Sequence, residues 1–600
     1  MNRINIYLSV LLALLTTFSV AAQTPIKYEI SFENAVHHEA EISITFPNLE
    51  NKVLQVRMSR TSPGRYALHE FAKNVYNVRA TDSEGNELVV TRPNPHQWNV
   101  SGHDGIVNFS YTLYANRGGG TYTGIDETHA HLNMPATFAW AREYEHRPIE
   151  ITFNKRDDLN WKIATQLKHL KGNTYYAPDF QYFLDSPTEI ADLHFRNEKV
   201  DGQNIRLALH TPATDAEVDE YFSKVMAIVK EQARVFNEMP NFDYGEYTFL
   251  SCYVPNASGD GMEHRNSTYV VSSKPKDRPL GETSIGTISH EFFHAWNVER
   301  IRPASLEPFD FEEANMSGEL WFAEGFTSYY TNYILARAGI RTAEQYVEGL
   351  DGGLNYVINS PGRQYHNPIE MSYQAPFVDA ARSVDPVNRS NTFISYYTYG
   401  SVLGLGLDLS LRGMDKGLTL DGFMQHVWKN YGKPEVPYAV RDLQEALAQY
   451  AGEDFANQYF ENYIFDSNLP DYKALLNDFG VTLELAEPGK ASLGGTIRKQ
   501  GGQWRLTGNA TVGSPIYEAG IESEDVFVSI AGKNLDDVKS VDEILKNYKP
   551  GDKIEVVINR WGDELKKTVT LEESNRLMTT LNANATPAQK ARRNAWLSGN

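Results

Sequence analysis

Five consecutive residues, His290-Glu291-Phe292-Phe293-His294, constrain this chain more than any other stretch. Two histidines four apart share one face of a helix, so both imidazoles can reach a single metal ion only if this segment is helical. Glu291, next to the first histidine, can then stand over the open position of that ion. Zinc suits the pattern, because a catalytic zinc takes three protein ligands and keeps one place for water.

Two histidines leave that site one ligand short. A glycine and a third histidine shortly after His294 would complete one common pattern, but Ala295-Trp296-Asn297-Val298-Glu299-Arg300 stands there. The alternative is a carboxylate on a following helix, and Glu319 and Glu324 both lie in such a stretch. Glu324, within Trp321-Phe322-Ala323-Glu324-Gly325-Phe326, sits among aromatic and small residues, where a carboxylate needs a partner to be tolerated. It is the third-ligand candidate, and Glu319 is read as solvated or as a supporting contact. Pro303, Pro308 and the acidic run Asp310-Phe311-Glu312-Glu313 supply the turn between the two helices.

Six hundred residues exceed one core, and 41% hydrophobic content is enough to build several. Residues 1–22 read as an export leader: Arg3, an apolar stretch over 6–20, then Val20-Ala21-Ala22 before a cleavage point at Gln23. The mature protein is therefore expected in the periplasm or secreted, with no stable membrane insertion. Cys252 is the only cysteine, which excludes an internal disulfide and a lipid-attachment cysteine at the cleavage point. A formal net charge of −21 argues against nucleic acid as a partner.

Residues 23–200 alternate apolar and polar positions, as in Tyr28, Ile30 and Phe32, and are expected to form a β-rich N-terminal domain. Residues 201–475 read as an α+β catalytic domain. It opens on a capping box at Thr214 and Glu217, and helices are expected over 317–338, 401–411 and 438–450. Residues 476–575 carry short strand-like runs around a small helix at 541–547, and 576–600 form a tail.

Several segments together resemble one family. Trp321 to Phe326 is similar to the third-ligand helix of the gluzincin aminopeptidases related to aminopeptidase N. Gly261-Met262-Glu263-His264 resembles the end of their exopeptidase motif, and Tyr397-Thr398-Tyr399-Gly400 the segment carrying their transition-state tyrosine. Ser62-Pro63-Gly64-Arg65-Tyr66, His264-Arg265-Asn266-Ser267 and the C-terminal unit narrow the resemblance to the PDZ-bearing glycyl aminopeptidases. Three positions depart from aminopeptidase N relatives: Asp260 replaces the motif's first glycine, His264 an asparagine, and Tyr399 a lysine.

The resemblance implies a multidomain protein with a β-rich N-terminal domain, an α+β thermolysin-like (gluzincin) catalytic domain and a C-terminal PDZ-like domain. It implies one Zn²⁺ per chain on His290, His294 and Glu324, with Glu291 as the base and Tyr397 (or Tyr396) as oxyanion donor. Gly261, Met262 and Glu263 would bind substrate: a carboxylate beside the metal anchors the α-ammonium of a peptide with a free N-terminus and fixes the scissile bond one residue away. Preference for glycine or alanine at the N-terminus is implied by the resemblance alone. Ser514-Pro515-Ile516-Tyr517-Glu518-Ala519-Gly520-Ile521 is similar to the middle of a PDZ domain, with Leu493-Gly494-Gly495-Thr496 as its carboxylate loop. Such a domain would take a peptide or dock within the chain. The competing readings are a thermolysin-like endopeptidase and a peptide-binding or chaperone protein with a vestigial peptidase centre.

Overall fold

The computed structural model describes residues 23–599 except 256, 275–277, 283, 379–384, 386 and 415. The expected leader, residues 1–22, lies outside the described residues. The chain is multidomain: a β-rich N-terminal domain, a helical catalytic region on its own sheet, and a small C-terminal unit with a separate core.

In the N-terminal domain the strand Ile26–Ser31 buries Ile26, Tyr28 and Ile30 and exposes Lys27 and Glu29, so period-two patterning sets its inward face. It lies inside a seven-stranded sheet, antiparallel to Glu39–Phe46 and parallel to Ile149–Asn154. Two further sheets of five and four strands complete the domain. Phe309 and Phe311, from the segment joining His294 to Glu324, are buried in this core. Glu312 beside them pairs with Arg57 and Arg142 of the N-terminal domain. The acidic run thus anchors one domain to the other.

The catalytic sheet has the spatial order His194–Val200, Gln203–His210, Glu246–Tyr253, Ser267–Ser272, Asp260–His264. Its edge strand Asp260–His264 is antiparallel to Ser267–Ser272. Alternation along that edge divides its side chains between two neighbours. Asp260, Met262 and His264 meet Arg65, Gly64 and Asp185 of the N-terminal domain, while Gly261 and Glu263 face Glu291 of the helix Ile285–Phe293, with Glu263 also against Gly64.

The expected capping box at Thr214 and Glu217 starts the helix Asp215–Phe236. The region expected as one helix over 317–338 is instead Leu320–Ala323 followed by Gly325–Arg337. Its lead-in is held out of the helix by Ser317, whose hydroxyl accepts from the Glu319 amide and donates to the Glu319 carboxylate. The helix expected over 401–411 begins five residues earlier, as Tyr396–Gly413. Aromatic and β-branched residues with weak helix propensity hid that start. This helix crosses the preceding one at Gly325 and Gly400, where a Cβ on Gly400 would overlap the Trp321 carbonyl. Among the described residues no helix is long and apolar enough to cross a membrane.

The strand Val481–Leu485 leaves the catalytic body and pairs antiparallel with Leu577–Leu581, where the chain returns. Between them a four-stranded sheet contains Val526–Ile530 and Lys553–Arg560. Residues 576–600 hold that return strand and the helix Pro587–Ser598. Trp596 on this helix is fully buried against Tyr346 and Phe479.

Candidate active site

His290 lies in the last turn of the helix Ile285–Phe293, and His294 is its C-cap with φ −64° and ψ −17°, so the helical face continues through both histidines. Glu324 joins Leu320–Ala323 to Gly325–Arg337. Its Oε2 lies 3.3 Å from His290 Nε2 and 3.2 Å from His294 Nε2. Tetrahedral bonds of about 2.0–2.1 Å to zinc would place neighbouring donors roughly 3.3 Å apart, so the donor set fits such an ion.

Neighbouring polar groups fix both imidazoles in the tautomer that a metal requires. The Thr331 hydroxyl donates to Thr327 O at 2.9 Å, so its oxygen accepts from His290 Nδ1 at 3.1 Å. His294 Nδ1 donates to Asn297 O at 2.5 Å. Nε2 is therefore the nitrogen that each ring turns to Glu324, and the one left to bind a metal. The Asn297 amide also donates to Phe322 O and Ala323 O, tying the end of the first helix to the entry of the second.

Glu291 and Glu263 converge on the same point, with carboxylate oxygens within 4.8 Å of His294 and of each other. Burial raises both carboxyls; repulsion from Glu324 adds to the rise at each, and Glu263 adds to it at Glu291. Burial alone would lower His294, but Glu324 and Glu263 push it up to about 10. Burial would also raise Glu324, yet the two histidines hold it well below the usual carboxylate range. With their carboxyls ionised and both imidazoles neutral, three buried glutamates would carry excess negative charge, which a divalent cation would balance. The residues present therefore fit a metal cofactor.

Gly261 lies against Glu291 so closely that a Cβ there would overlap its carboxylate. Met262 is fully buried, and a Cβ on Gly64 or Gly120 would collide with it, so its side chain belongs to the domain interface. Arg265 pairs with Asp243 and Glu435 and leaves Glu263 to the site. Tyr397 stands over the site, its ring 6.0 Å from that of His290, and stacks on the buried Tyr396. Glu319 is buried, not solvated, and accepts from Ser305 and Ser317.

Sequence reasoning gave no role to two residues of the site. Tyr66 donates to Glu324 Oε1 at 2.6 Å, which leaves Oε2 for the histidines. Arg65 binds Asp260 at 2.5 Å and the Gly261 carbonyl at 3.1 Å, and the Gly120 amide donates to Asp260 at 2.8 Å. The only signal was the segment Ser62 to Tyr66, noted for its likeness and not for its reach.

Comparison with known proteins bears on domains and fold. The sequence profile of the Peptidase M61 N-terminal domain matches residues 27–192, and that of M61 glycyl aminopeptidase matches residues 283–403. A solved aminopeptidase N family protein from Idiomarina loihiensis superposes with a TM-score of 0.84 at 23% identity, over 95% of this chain and 100% of that one. Aminopeptidase A of Legionella pneumophila reaches a TM-score of 0.41 at 12% identity, over 93% of this chain and 57% of that one. The serine protease Do-like HtrA of Lactobacillus helveticus is 43% identical over 54 residues, which is 9% of this chain and 13% of that curated relative's length. Fold and site together define an enzyme of the metallopeptidase class, of the aminopeptidase type. The chain carries the two domains of the M61 glycyl aminopeptidases, over residues 27–192 and 283–403.

Proposed function

We propose that the protein is a zinc-dependent aminopeptidase that removes small N-terminal residues, glycine or alanine, from peptides outside the cytoplasm. One observation carries the reading: Glu324 Oε2 stands 3.3 and 3.2 Å from the two histidine nitrogens, beside two further buried carboxylates, Glu291 and Glu263. Zinc bound there would acidify a coordinated water and polarise the scissile carbonyl. Glu291 is placed to take the proton of the attacking water and hand it to the leaving amine. Its raised carboxyl suits a group that must both accept and release a proton. The Tyr397 hydroxyl would donate to the developing oxyanion, a contribution typically worth about 3–4 kcal/mol.

Glu263 gives the exopeptidase character. A substrate ammonium near a buried carboxylate is held by a charge-assisted contact and places the first peptide bond at Glu291. In the C-terminal unit, a cleft of about 530 Å³ runs past Leu493, Gly495 and Thr496 towards Val541 and Leu545. That cleft supports the PDZ-like reading, with a peptide end as its ligand.

Matched peptides with free and acetylated N-termini test the function. Cleavage of the free peptide alone is expected; equal cleavage of both would overturn the aminopeptidase assignment. Glu291→Gln should keep its metal and lose about 10²–10⁴-fold in kcat, read by turnover and metal content on one sample.

A further inference from the structure

A second group of metal-ligating side chains lies outside this site. His210 and Cys252 are register partners on the adjacent parallel strands Gln203–His210 and Glu246–Tyr253. Paired residues on neighbouring strands project to the same face, and His210 Nδ1 stands 3.4 Å from Cys252 Sγ. His129, from the N-terminal strand His129–Leu132, comes down on that face with its ring 5.1 Å from the His210 ring. One nitrogen from each histidine and the sulfur all lie within 4.8 Å of one another.

The surroundings prepare His129 as a ligand. The Thr128 hydroxyl donates to Asp126 at 2.5 Å, so its oxygen accepts from His129 Nδ1 at 3.0 Å. Asp126 Oδ1 also stands 3.4 Å from the same nitrogen. His129 Nε2 therefore keeps its lone pair, and the Asp126–His129 pair has the form in which a carboxylate orients a metal-bound imidazole. Independently, Glu189 is fully buried with its Oε1 unpartnered, and it acts electrostatically on His129, His210 and Cys252. Bonds of about 2.3 Å to sulfur and 2.0–2.1 Å to nitrogen span donors roughly 3.5 Å apart, close to the separation of His210 and Cys252.

We propose that His129, His210 and Cys252 bind a divalent zinc-type cation that clamps the N-terminal domain to the catalytic sheet. The thiol loses its proton to solvent as the ion binds, and the fourth position takes water. The ligands come from both domains, and Cys252 lies in a small buried cluster that draws Ala191 and Leu193 together with Leu250, Tyr269 and Val271. Three protein ligands and a water make this the open kind of zinc site, and the role assigned to it is to hold the two domains together.

Cobalt gives a direct test because Cys252 is the only sulfur of its kind in the chain. Full-length protein, stripped by chelation and kept under reducing, oxygen-free conditions, is titrated with Co²⁺ and followed by absorption. Two equivalents are expected, one of them raising a near-ultraviolet thiolate-to-cobalt band. Cys252→Ser should bind one equivalent without that band, and His290→Ala one equivalent with it. Wild-type protein that shows no thiolate band would overturn the proposal and leave a hydrogen-bonded cluster; this outcome stands even if a variant fails to fold. The band reports sulfur alone, so its failure is distinct from failure of the catalytic assignment.

Discussion

Tyr66 shows how a single residue from another domain can set the chemistry of a metal site. Its hydroxyl is buried and occupies one oxygen of Glu324, so that carboxylate meets the histidines with the other. A hydrogen bond to a charged group contributes about 1.5–3 kcal/mol, and the loss of such a support typically weakens metal affinity about 10–100-fold. Tyr66→Phe keeps the ring against Tyr396 and removes only the donor. It should lose metal to a chelator at concentrations that wild type resists, yet recover kcat when metal is saturating. Affinity equal to wild type in a competition titration would show that Tyr66 supports packing alone. The meeting of His290, His294 and Glu324 was legible in sequence because helical spacing and a carboxylate among apolar residues are local signals. Tyr66 was not, because its partner lies 258 positions away.

Elements meet at this site through close approaches that depend on missing side chains. The helices Gly325–Arg337 and Tyr396–Gly413 cross at Gly325 and Gly400 with backbone against backbone. That crossing sets Gly325, the residue after Glu324, against the backbone of Tyr396 and Gly400. Gly400→Ala would drive a methyl group into the Trp321 carbonyl, and overpacking of this kind costs about 1–3 kcal/mol. The helix pair must separate, and Glu324 moves with it. Lower thermal stability together with weaker metal binding is therefore expected, by calorimetry and metal titration on the same variant. A variant that loses stability but keeps wild-type metal affinity would show that the crossing does not position the ligand. The sequence pattern placed both helices but mistook their starts. The break before Leu320 rests on Ser317 bonding to Glu319, and the early start at Tyr396 on tertiary contact overriding weak propensity.

Across the whole molecule the C-terminal unit behaves as an insertion and not as an end. Its entry strand Val481–Leu485 pairs with its exit strand Leu577–Leu581, and the Ala486 amide bonds to the Arg576 carbonyl at 2.8 Å. Everything between those residues has its own core. Everything after them returns to the catalytic body: Thr579 bonds to Val347 O and Asp351, and Trp596 fills a pocket among Tyr346 and Phe479. Sequence showed residues 576–600 as a tail because Asn, Ala and Arg without periodicity give no local signal; only the long-range pairing makes them structural. Two deletions should consequently have opposite results. Joining Ala486 to Arg576 directly closes a gap that the backbone already spans by hydrogen bonding, so the catalytic body should stay folded, with its unfolding temperature shifted by only a few degrees. Ending the chain at Gly480 instead strips a fully buried tryptophan, a loss that costs about 3–5 kcal/mol even for Trp596→Ala alone. It also removes a whole strand and helix, so the shorter chain should aggregate or unfold well below the wild-type temperature. Cleavage of a short free peptide by the joined protein and not by the truncated one would locate the structural function in residues 481–486 and 576–600, the paired strands and the last helix; equal stability of the two would refute the insertion.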